Sequence, residues 1–95
     1  MGESTKAPAR ELLEANHQFP CEYVIKAFGP AQDTFRVGIG EAAAAAVGAR
    51  VEVTERRSSK GNSICITLTL AAESVDEVIF AYERIHAVPG LRLIL

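Results

Sequence analysis

The sequence predicts an α+β fold of the ferredoxin-like type, a two-layer open sandwich with the element order β-α-β-β-α-β. Three observations lead to this prediction: strictly alternating apolar residues in one segment, two amphipathic helical stripes, and turn residues between the segments. Two strand–helix–strand units that overlap through a central hairpin give an antiparallel or mixed four-stranded sheet. Both helices then cover one face of the sheet, and the other face stays open.

Alternating side chains predict the strands. In the segment 64–70 every even position is Ile or Leu and every odd position is Cys or Thr, which is typical of a strand with one buried face. The segment 21–28 alternates in a similar way, and we expect Gly29-Pro30 to end it. In the segment 50–57 we expect Val51 and Val53 to point inward. Residues 91–95 should form a short last strand.

Apolar residues at helical spacing predict the two helices. The segment 31–47 places Phe35, Ile39, Ala42 and Ala46 on one face, and Gly48 fits the position just after a helix. The second helix begins at Ser74, which could form a reciprocal capping box with Glu77. Its apolar stripe consists of Val75, Val78, Ile79, Tyr82 and Ile85.

The chain is expected to hold one domain over residues 19–95, preceded by a flexible lead-in over residues 1–18. The polar start, residues 1–8, has the composition of a disordered segment. A short helix could form over residues 9–16. Because two helical turns are unstable alone in water, that helix requires Leu12 and Leu13 to dock on the domain.

Composition limits the functions that the chain can have. It has 95 residues and a formal net charge of −2, so it lacks the basic excess that nucleic-acid binding requires. We find no signal peptide at the start and no apolar run of about 20 residues, which predicts a cytoplasmic protein without membrane contact. The two cysteines, Cys21 and Cys65, are expected to be reduced thiols. No metal or other cofactor is expected.

Three activities found on folds of this shape each require residues at set positions. Base stacking by an RNA-recognition domain needs aromatic residues on the central strands, where this chain has Cys65, Thr67 and Thr69. A soft-metal carrier needs paired thiolates, and Cys21 stands alone. An acylphosphatase-like hydrolase, with Arg36 as an anion clamp, is the enzymatic alternative, although the segment 32–36 has no glycine and its Asp33 would repel an anion.

The open face of the sheet is the predicted binding surface. It should carry Val24, Lys26, Phe28, Arg50, Glu52, Thr54, Cys65, Thr67, Thr69, Arg92 and Ile94. Val24, Phe28 and Ile94 could form an apolar patch for a ligand or a protein. The alternative is a half-solvated sheet in which scattered apolar side chains have no binding role.

The central hairpin has two interpretations as well. Arg56, Arg57 and Lys60 flank its serines and could hold an anionic group, or they could form a charged edge that prevents strand aggregation. The candidate ligand- or partner-binding residues are Lys26, Phe28, Gly29, Ser58, Ser59, Lys60, Gly61, Cys65 and Thr67. No catalytic residue and no metal ligand is predicted.

A set of residues along the chain resembles one family. Phe19-Pro20 precedes the first strand, Ser58-Ser59-Lys60-Gly61-Asn62 fills the turn, and a strand of alternating Ile and Thr follows. Tyr82, Pro89 and Leu95 complete the pattern. The chain resembles the YbeD-like family of small bacterial proteins of unknown function over residues 19–95. The resemblance implies a ferredoxin-like fold similar to amino-acid-binding ACT domains, and a regulatory role linked to lipoate metabolism.

These observations predict a non-catalytic regulatory or adaptor domain that binds a small metabolite or a protein. A ligand would lie beside the Gly29-Pro30 loop or at an interface between two copies, since domains of this shape can form a homodimer through an edge strand or the open face. Two alternatives stay open: the acylphosphatase-like enzyme, and a purely structural partner of a larger enzyme.

Overall fold

The computed structural model describes residues 7–95, so the predicted disorder of residues 1–8 lies mostly outside the described residues. The described part of the chain contains three helices and four strands. In chain order they are α1 (Arg10–Asn16), β1 (Cys21–Pro30), α2 (Asp33–Val47), β2 (Val51–Arg57), β3 (Ser63–Ala72), α3 (Val75–His86) and β4 (Leu93–Ile94).

The strands form one four-stranded sheet with the order β2-β3-β1-β4, and every neighbouring pair is antiparallel. The central pair, β1 and β3, is continuous from Cys21 opposite Ala72 to Pro30 opposite Ser63. Helices α2 and α3 pack on each other and on one face of this sheet. The predicted ferredoxin-like βαββαβ sandwich is therefore confirmed.

The hydrophobic core lies between the sheet and the two helices. The even-numbered residues of β3 from Ile64 to Leu70 are at most 1% exposed, as the alternation predicts. Helix α2 contributes Phe35 and Ile39 to this core, and α3 contributes Val78 and Ile85. Within residues 7–95 no charged side chain is buried, so the fold depends on apolar packing.

Helix α1 docks on the domain through one of its two leucines. Leu13 is 3% exposed and belongs to the core, whereas Leu12 is 60% exposed. The helix contacts α3, where the Arg10 guanidinium forms an ion pair with Asp76. A helix of this length needs such support, because nucleation is costly in water.

A buried hydrogen bond joins β1 to α3 near α1. The hydroxyl oxygens of Tyr23 and Tyr82 are 3.0 Å apart, and the ring of His17 lies 4.9 Å from that of Tyr23. Burial raises the pKa of the Tyr82 phenol, and its hydrogen bond with Tyr23 adds to the shift. The two hydroxyls thus satisfy each other in an apolar setting.

The prediction that Gly29-Pro30 ends the first strand is wrong, since β1 continues through Pro30. Lys26 exchanges hydrogen bonds with Leu95, and the Phe28 carbonyl accepts the N–H of Arg92, so even residues of β1 direct their backbone groups towards β4. The nitrogen of Pro30 has the same direction. The proline therefore removes no hydrogen bond from the β1–β3 ladder.

The start of α3 also differs from the prediction. Ser74 occupies the N-cap position, but its side chain makes no capping hydrogen bond. Glu77 instead accepts the N–H of Glu73 at 2.8 Å and pairs with Arg50 at 2.7 Å. The hydrogen bond from Arg50 lowers the pKa of the Glu77 carboxyl, and the Glu73 N–H lowers it further.

Strand β2 lies at the edge of the sheet, and six of its seven residues are exposed. Val51 is half-buried on the helix side of the sheet, as predicted. Val53 has the same orientation, because it is paired with the buried Leu68, but it remains 48% exposed. The helices do not reach far enough to cover it.

Within residues 7–95 no helix is long and apolar enough to cross a membrane.

Candidate functional site

The open face of the sheet carries four of the predicted binding residues. Phe28 lies opposite Cys65, and Lys26 lies opposite Thr67, on the β1–β3 ladder. Directly opposed residues of an antiparallel pair point to the same face. None of the helices within residues 7–95 covers this face, so these four side chains form a continuous and partly exposed surface.

The apolar part of the open face differs from the prediction in the residues that the last strand contributes. Ile94 lies opposite Ala27 and packs against the core, so its predicted place on the open face is wrong. Leu93 lies opposite Phe28 and takes that place, with an exposed fraction of 52%. The short strand β4 takes its register from pairing with β1, and a two-residue strand has too little alternation to reveal that register.

The open-face patch, as we call it, consists of Val24, Phe28, Leu93 and Leu95. Leu95 is 62% exposed and Val24 is 49% exposed. The backbone of Lys26 exchanges two hydrogen bonds with that of Leu95, at 3.1 and 2.8 Å, which places the leucine beside the lysine on this face. The patch borders the hairpin end of the sheet through Phe28.

The β2–β3 hairpin is held by its own serines and glycine. The Ser58 N–H donates to the Ser63 carbonyl at 2.8 Å, and the Ser58 hydroxyl accepts the Ser63 N–H at 3.3 Å. Gly61 has a φ of +79°, a conformation that favours glycine, and donates its N–H to the Ser58 carbonyl. Ser59 and Lys60 are exposed at the tip. The predicted residues Ser58 and Gly61 thus shape the hairpin itself.

A hollow of about 170 Å³ lies where the hairpin meets the open face. We call it the hairpin hollow. It is lined by Phe28, Arg56, Arg57, Ser58, Ser63, Ile64 and Cys65. Three of the predicted binding residues, Phe28, Ser58 and Cys65, therefore meet in one place. The surface of the hollow is almost entirely apolar, and Phe28, Cys65 and the two arginines, Arg56 and Arg57, are among the residues that line it.

Positive charge collects around the hairpin hollow. Arg56 and Arg57 line the hollow, and Arg92 donates to the hydroxyl of Ser63, another lining residue, at 2.9 Å. The Arg57 guanidinium also donates to the Gly61 carbonyl at 3.2 Å. Within residues 7–95 none of these three arginines has a carboxylate within 4.0 Å. Their charges are therefore available to an anion, unlike those of the arginines that form ion pairs elsewhere in the fold.

Ser63 is a site residue that the sequence analysis missed, and Arg92, which it placed on the open face, was not among its candidate binding residues. They are separated by 29 positions in the chain, and only the register of β1 with both neighbours brings them together. Arg92 follows a Pro-Gly turn, where spacing gives no orientation. The signal that could have found it is the antiparallel pairing of the last strand.

Gly29 has a packing role that does not involve the open face. It is buried on the helix side, where a Cβ atom would lie 2.4 Å from the Phe35 ring. Lys60, Ser59 and Thr67 lie outside the hollow. The structure thus gathers some of the predicted site residues and separates others.

Arg36, the anion clamp of the enzymatic alternative, is engaged by carboxylates. Its guanidinium donates to Asp33 at 2.9 Å and to both oxygens of Glu55 at 3.0 and 3.1 Å. Its side chain is only 23% exposed. An incoming anion would have to displace both partners.

The two thiols lie at opposite ends of the central strand pair, since Cys21 pairs with Ala72 and Cys65 with Phe28. Both are unpaired. Among the residues that the structure describes, no group of three His, Cys, Asp or Glu side chains could hold a metal ion.

Comparison with known families gives a match that covers most of the chain. The model of one family, described as "Protein of unknown function (DUF493)", matches residues 14–95. Comparisons with curated proteins and with solved structures found no match. The matched region contains the whole sheet, both packed helices and the hairpin hollow, and it agrees with the resemblance to the YbeD-like proteins. The chain therefore belongs to the DUF493 family of proteins of unknown function.

Proposed function

We propose that the chain is a non-catalytic regulatory domain that binds a small anionic metabolite with an apolar body at the hairpin hollow. The observation that carries this proposal is the apolar wall of Phe28 and Cys65 beside arginines that have no carboxylate partner within residues 7–95. Such a combination of apolar surface and a few convergent polar groups is typical of small-ligand sites.

The two halves of the hollow would act on different parts of a ligand. A volume of about 170 Å³ is close to the roughly 150 Å³ cavity that can accept one benzene ring, so a ring or a short chain fits. A guanidinium can bind a carboxylate through two parallel hydrogen bonds, which gives direction as well as charge. We expect Arg92 to bind the anionic group, because the Ser63 hydroxyl already fixes its position.

The chemistry at the hollow supports binding over catalysis. Its lining offers two serine hydroxyls and one thiol as nucleophiles, but no histidine or carboxylate to activate them. Nucleophilic catalysis by these groups normally requires such a base within hydrogen-bond reach. The acylphosphatase-like alternative has less support, because Arg36 already binds Asp33 and Glu55.

The family resemblance suggests which ligands to test first. It implies a regulatory role like that of ACT domains and a link to lipoate metabolism. Lipoate and octanoate each carry one carboxylate on an apolar body, which is the chemistry that the hollow fits. The unpaired Cys21 and Cys65 agree with action in a reducing compartment such as the cytoplasm.

A thermal-shift experiment tests the proposal with four compounds: lipoate, octanoate and their uncharged amides. A ligand at about 100 times its Kd adds roughly 2.7 kcal/mol of stability. At about 4–8 °C per kcal/mol for a domain of this size, the melting temperature should rise by roughly 10–20 °C. The two carboxylates should produce the shift, and the amides should produce much less.

Two variants link this shift to the hollow. Arg92→Gln should weaken binding of the carboxylates, and Phe28→Ala should weaken binding through the apolar body. Arg84→Gln is the matched control, because Arg84 is exposed on α3 and stacks over Phe80. Absence of any shift, or an equal shift in the wild type and Arg92→Gln, would contradict the proposed site.

A further inference from the structure

The free edge of β2 has a regular pattern of unused backbone groups. Just outside the strand, the Arg50 carbonyl accepts the Ala71 N–H, and the Ser58 N–H donates to the Ser63 carbonyl. Hydrogen-bonded pairs alternate along an antiparallel ladder, so the even residues of β2 bond to β3. The N–H and C=O groups of Val51, Val53, Glu55 and Arg57 therefore point away from the sheet.

The side chains of β2 are arranged so that the strand complements a second copy of itself. When two β2 strands pair antiparallel about Thr54, Glu52 of each copy lies opposite Arg56 of the other. Both residues are on the open face and exposed, and they form no ion pair within residues 7–95. Opposite charges placed directly across two strands stabilise their pairing.

We propose that two copies of this chain associate through β2, with a two-fold axis through the Thr54 pair, to form one eight-stranded sheet. In this register the outward backbone groups of Val53 bond to those of Glu55 in the second copy. Those of Val51 bond to those of Arg57. The Glu52–Arg56 pairs then fall at non-hydrogen-bonded positions, where opposed side chains come closest.

The neighbouring registers are disfavoured by charge. The helices of both copies lie on the same side of the joint sheet only if the two-fold axis passes through a residue and not between two residues. A shift of the register by one residue would turn every side chain of one copy to the opposite face. An axis at Val53 would place Arg56 opposite Arg50, and an axis at Glu55 would place that carboxylate opposite its own copy. The charges therefore select Thr54 as the centre.

The proposed pairing also accounts for an exposed apolar residue. Val53 is 48% exposed on the helix side of the edge strand. In the Thr54-centred register it lies directly opposite Glu55 of the second copy, so the added strand covers part of its exposed surface. Two-fold symmetry, in which both copies use the same surface, is the commonest arrangement of soluble homodimers.

The inference is independent of the ligand. Arg56 lines the hairpin hollow as well, but Arg57 and Arg92 remain there as cations when Arg56 pairs with Glu52 of the second copy. A failed thermal-shift experiment and a failed dimer measurement would therefore refute different claims.

Exchanging the charges of Glu52 and Arg56 tests the proposed register of the two β2 strands. Light scattering with size exclusion, up to about 1 mM protein, should show a mass that rises with concentration from 10.2 kDa towards twice this value. Glu52→Arg or Arg56→Glu alone makes two like-charge contacts in each dimer and should weaken association roughly tenfold. The double variant Glu52→Arg, Arg56→Glu should restore it, and Glu83→Arg on α3 should leave it unchanged.

Amide hydrogen exchange identifies the edge that is used. On raising the concentration, the amides of Val53 and Glu55 should become protected, because their N–H groups point outward in the monomer. A monomer at every concentration would overturn the proposal. A dimer without this protection, or a double variant that stays monomeric, would overturn it too. In these outcomes the charges on β2 would serve to block strand pairing.

Discussion

Replacement of Gly29 by alanine should destabilise the protein, even though alanine suits a strand better than glycine. Gly29 does not have a positive φ, so its backbone conformation is open to any residue. The obstacle is the ring of Phe35, whose three nearest carbon atoms would lie 2.4, 2.6 and 2.7 Å from the new Cβ. An ordinary contact begins near 3.4 Å, so the shortest overlap is about 1 Å (3.4 − 2.4).

The magnitude follows from the surroundings of that ring. Phe35 is 1% exposed, so it cannot swing into solvent to relieve the overlap. Forcing extra volume into a packed core typically costs about 1–3 kcal/mol. For a domain of this length each kcal/mol lowers the melting temperature by about 4–8 °C, so we expect a fall of roughly 4–24 °C.

Gly40→Ala is the matched control, because it makes the same chemical change in a different setting. Gly40 lies inside α2, and a Cβ atom there would meet nothing within 4 Å. Alanine favours a helix over glycine by about 0.5–1 kcal/mol, so this variant should be more stable than the wild type. The two substitutions should therefore shift the melting temperature in opposite directions.

Calorimetry or circular dichroism would measure both shifts, and a third variant would identify the cause. Phe35→Leu removes the ring that clashes with the new methyl group. Combined with Gly29→Ala, it should cost less than the sum of the two single changes, because the residues are in contact. A Gly29→Ala protein that melts at or above the wild-type temperature would refute this explanation, and so would strict additivity.

Two further predictions concern polar contacts between elements. Tyr82→Phe leaves the buried Tyr23 hydroxyl without its partner, so urea denaturation should show a free energy of unfolding lower by about 1–2 kcal/mol. A further Tyr23→Phe change should recover part of this loss. Equal urea midpoints for Tyr82→Phe and the wild type would contradict the prediction. The pKa of the Glu77 carboxyl in the folded protein is lowered from its ordinary value of 4.5. The ionised carboxylate therefore stabilises the fold above pH 4.5, and this stabilisation is lost as the pH falls through the lower pKa of the folded state. Glu77→Gln should therefore reduce the loss of stability between about pH 6 and pH 3, whereas Glu83→Gln, exposed on α3, should not; identical pH profiles for both variants would refute it.

The part of the fold that the sequence predicts well is the part in which pattern and burial coincide. Residues 64–70 alternate without interruption, and the structure buries every even position. In β1 the alternate residues Tyr23, Ile25 and Ala27 are likewise buried. Register could not be predicted where the element is short, as for Ile94, because pairing with β1 decides it.

Two local errors arose from contacts between segments. The Gly29-Pro30 pair is a turn signal by composition. In the structure, however, the missing Cβ of Gly29 leaves room for the Phe35 ring, and the Pro30 nitrogen points away from β3, so the β1–β3 pairing continues. The Ser74–Glu77 capping box was predicted from spacing alone, and Arg50 on a distant segment binds the carboxylate that the box would use. Neither competing contact is visible within the local sequence.

The candidate site was partly predictable for the same reason. Phe28, Cys65 and Ser58 follow from strand parity and hairpin composition, and all three line the hollow. Arg92 was predicted on the open face, but its contact with Ser63 could not be predicted, because that contact depends on the pairing of β4 with β1. The sequence therefore predicts the arginines of the hairpin itself, but not the arginine that the last strand brings to Ser63.

The alternation along β3 makes this strand a natural display scaffold. Its odd positions, Cys65, Thr67 and Thr69, can be varied as a combinatorial library while the even positions keep the molecule folded. These three positions are half-buried, so substitutions there should change stability by up to about 1 kcal/mol, the span of strand preferences. New specificities could thus be selected on one side of a single strand without redesign of its reverse side.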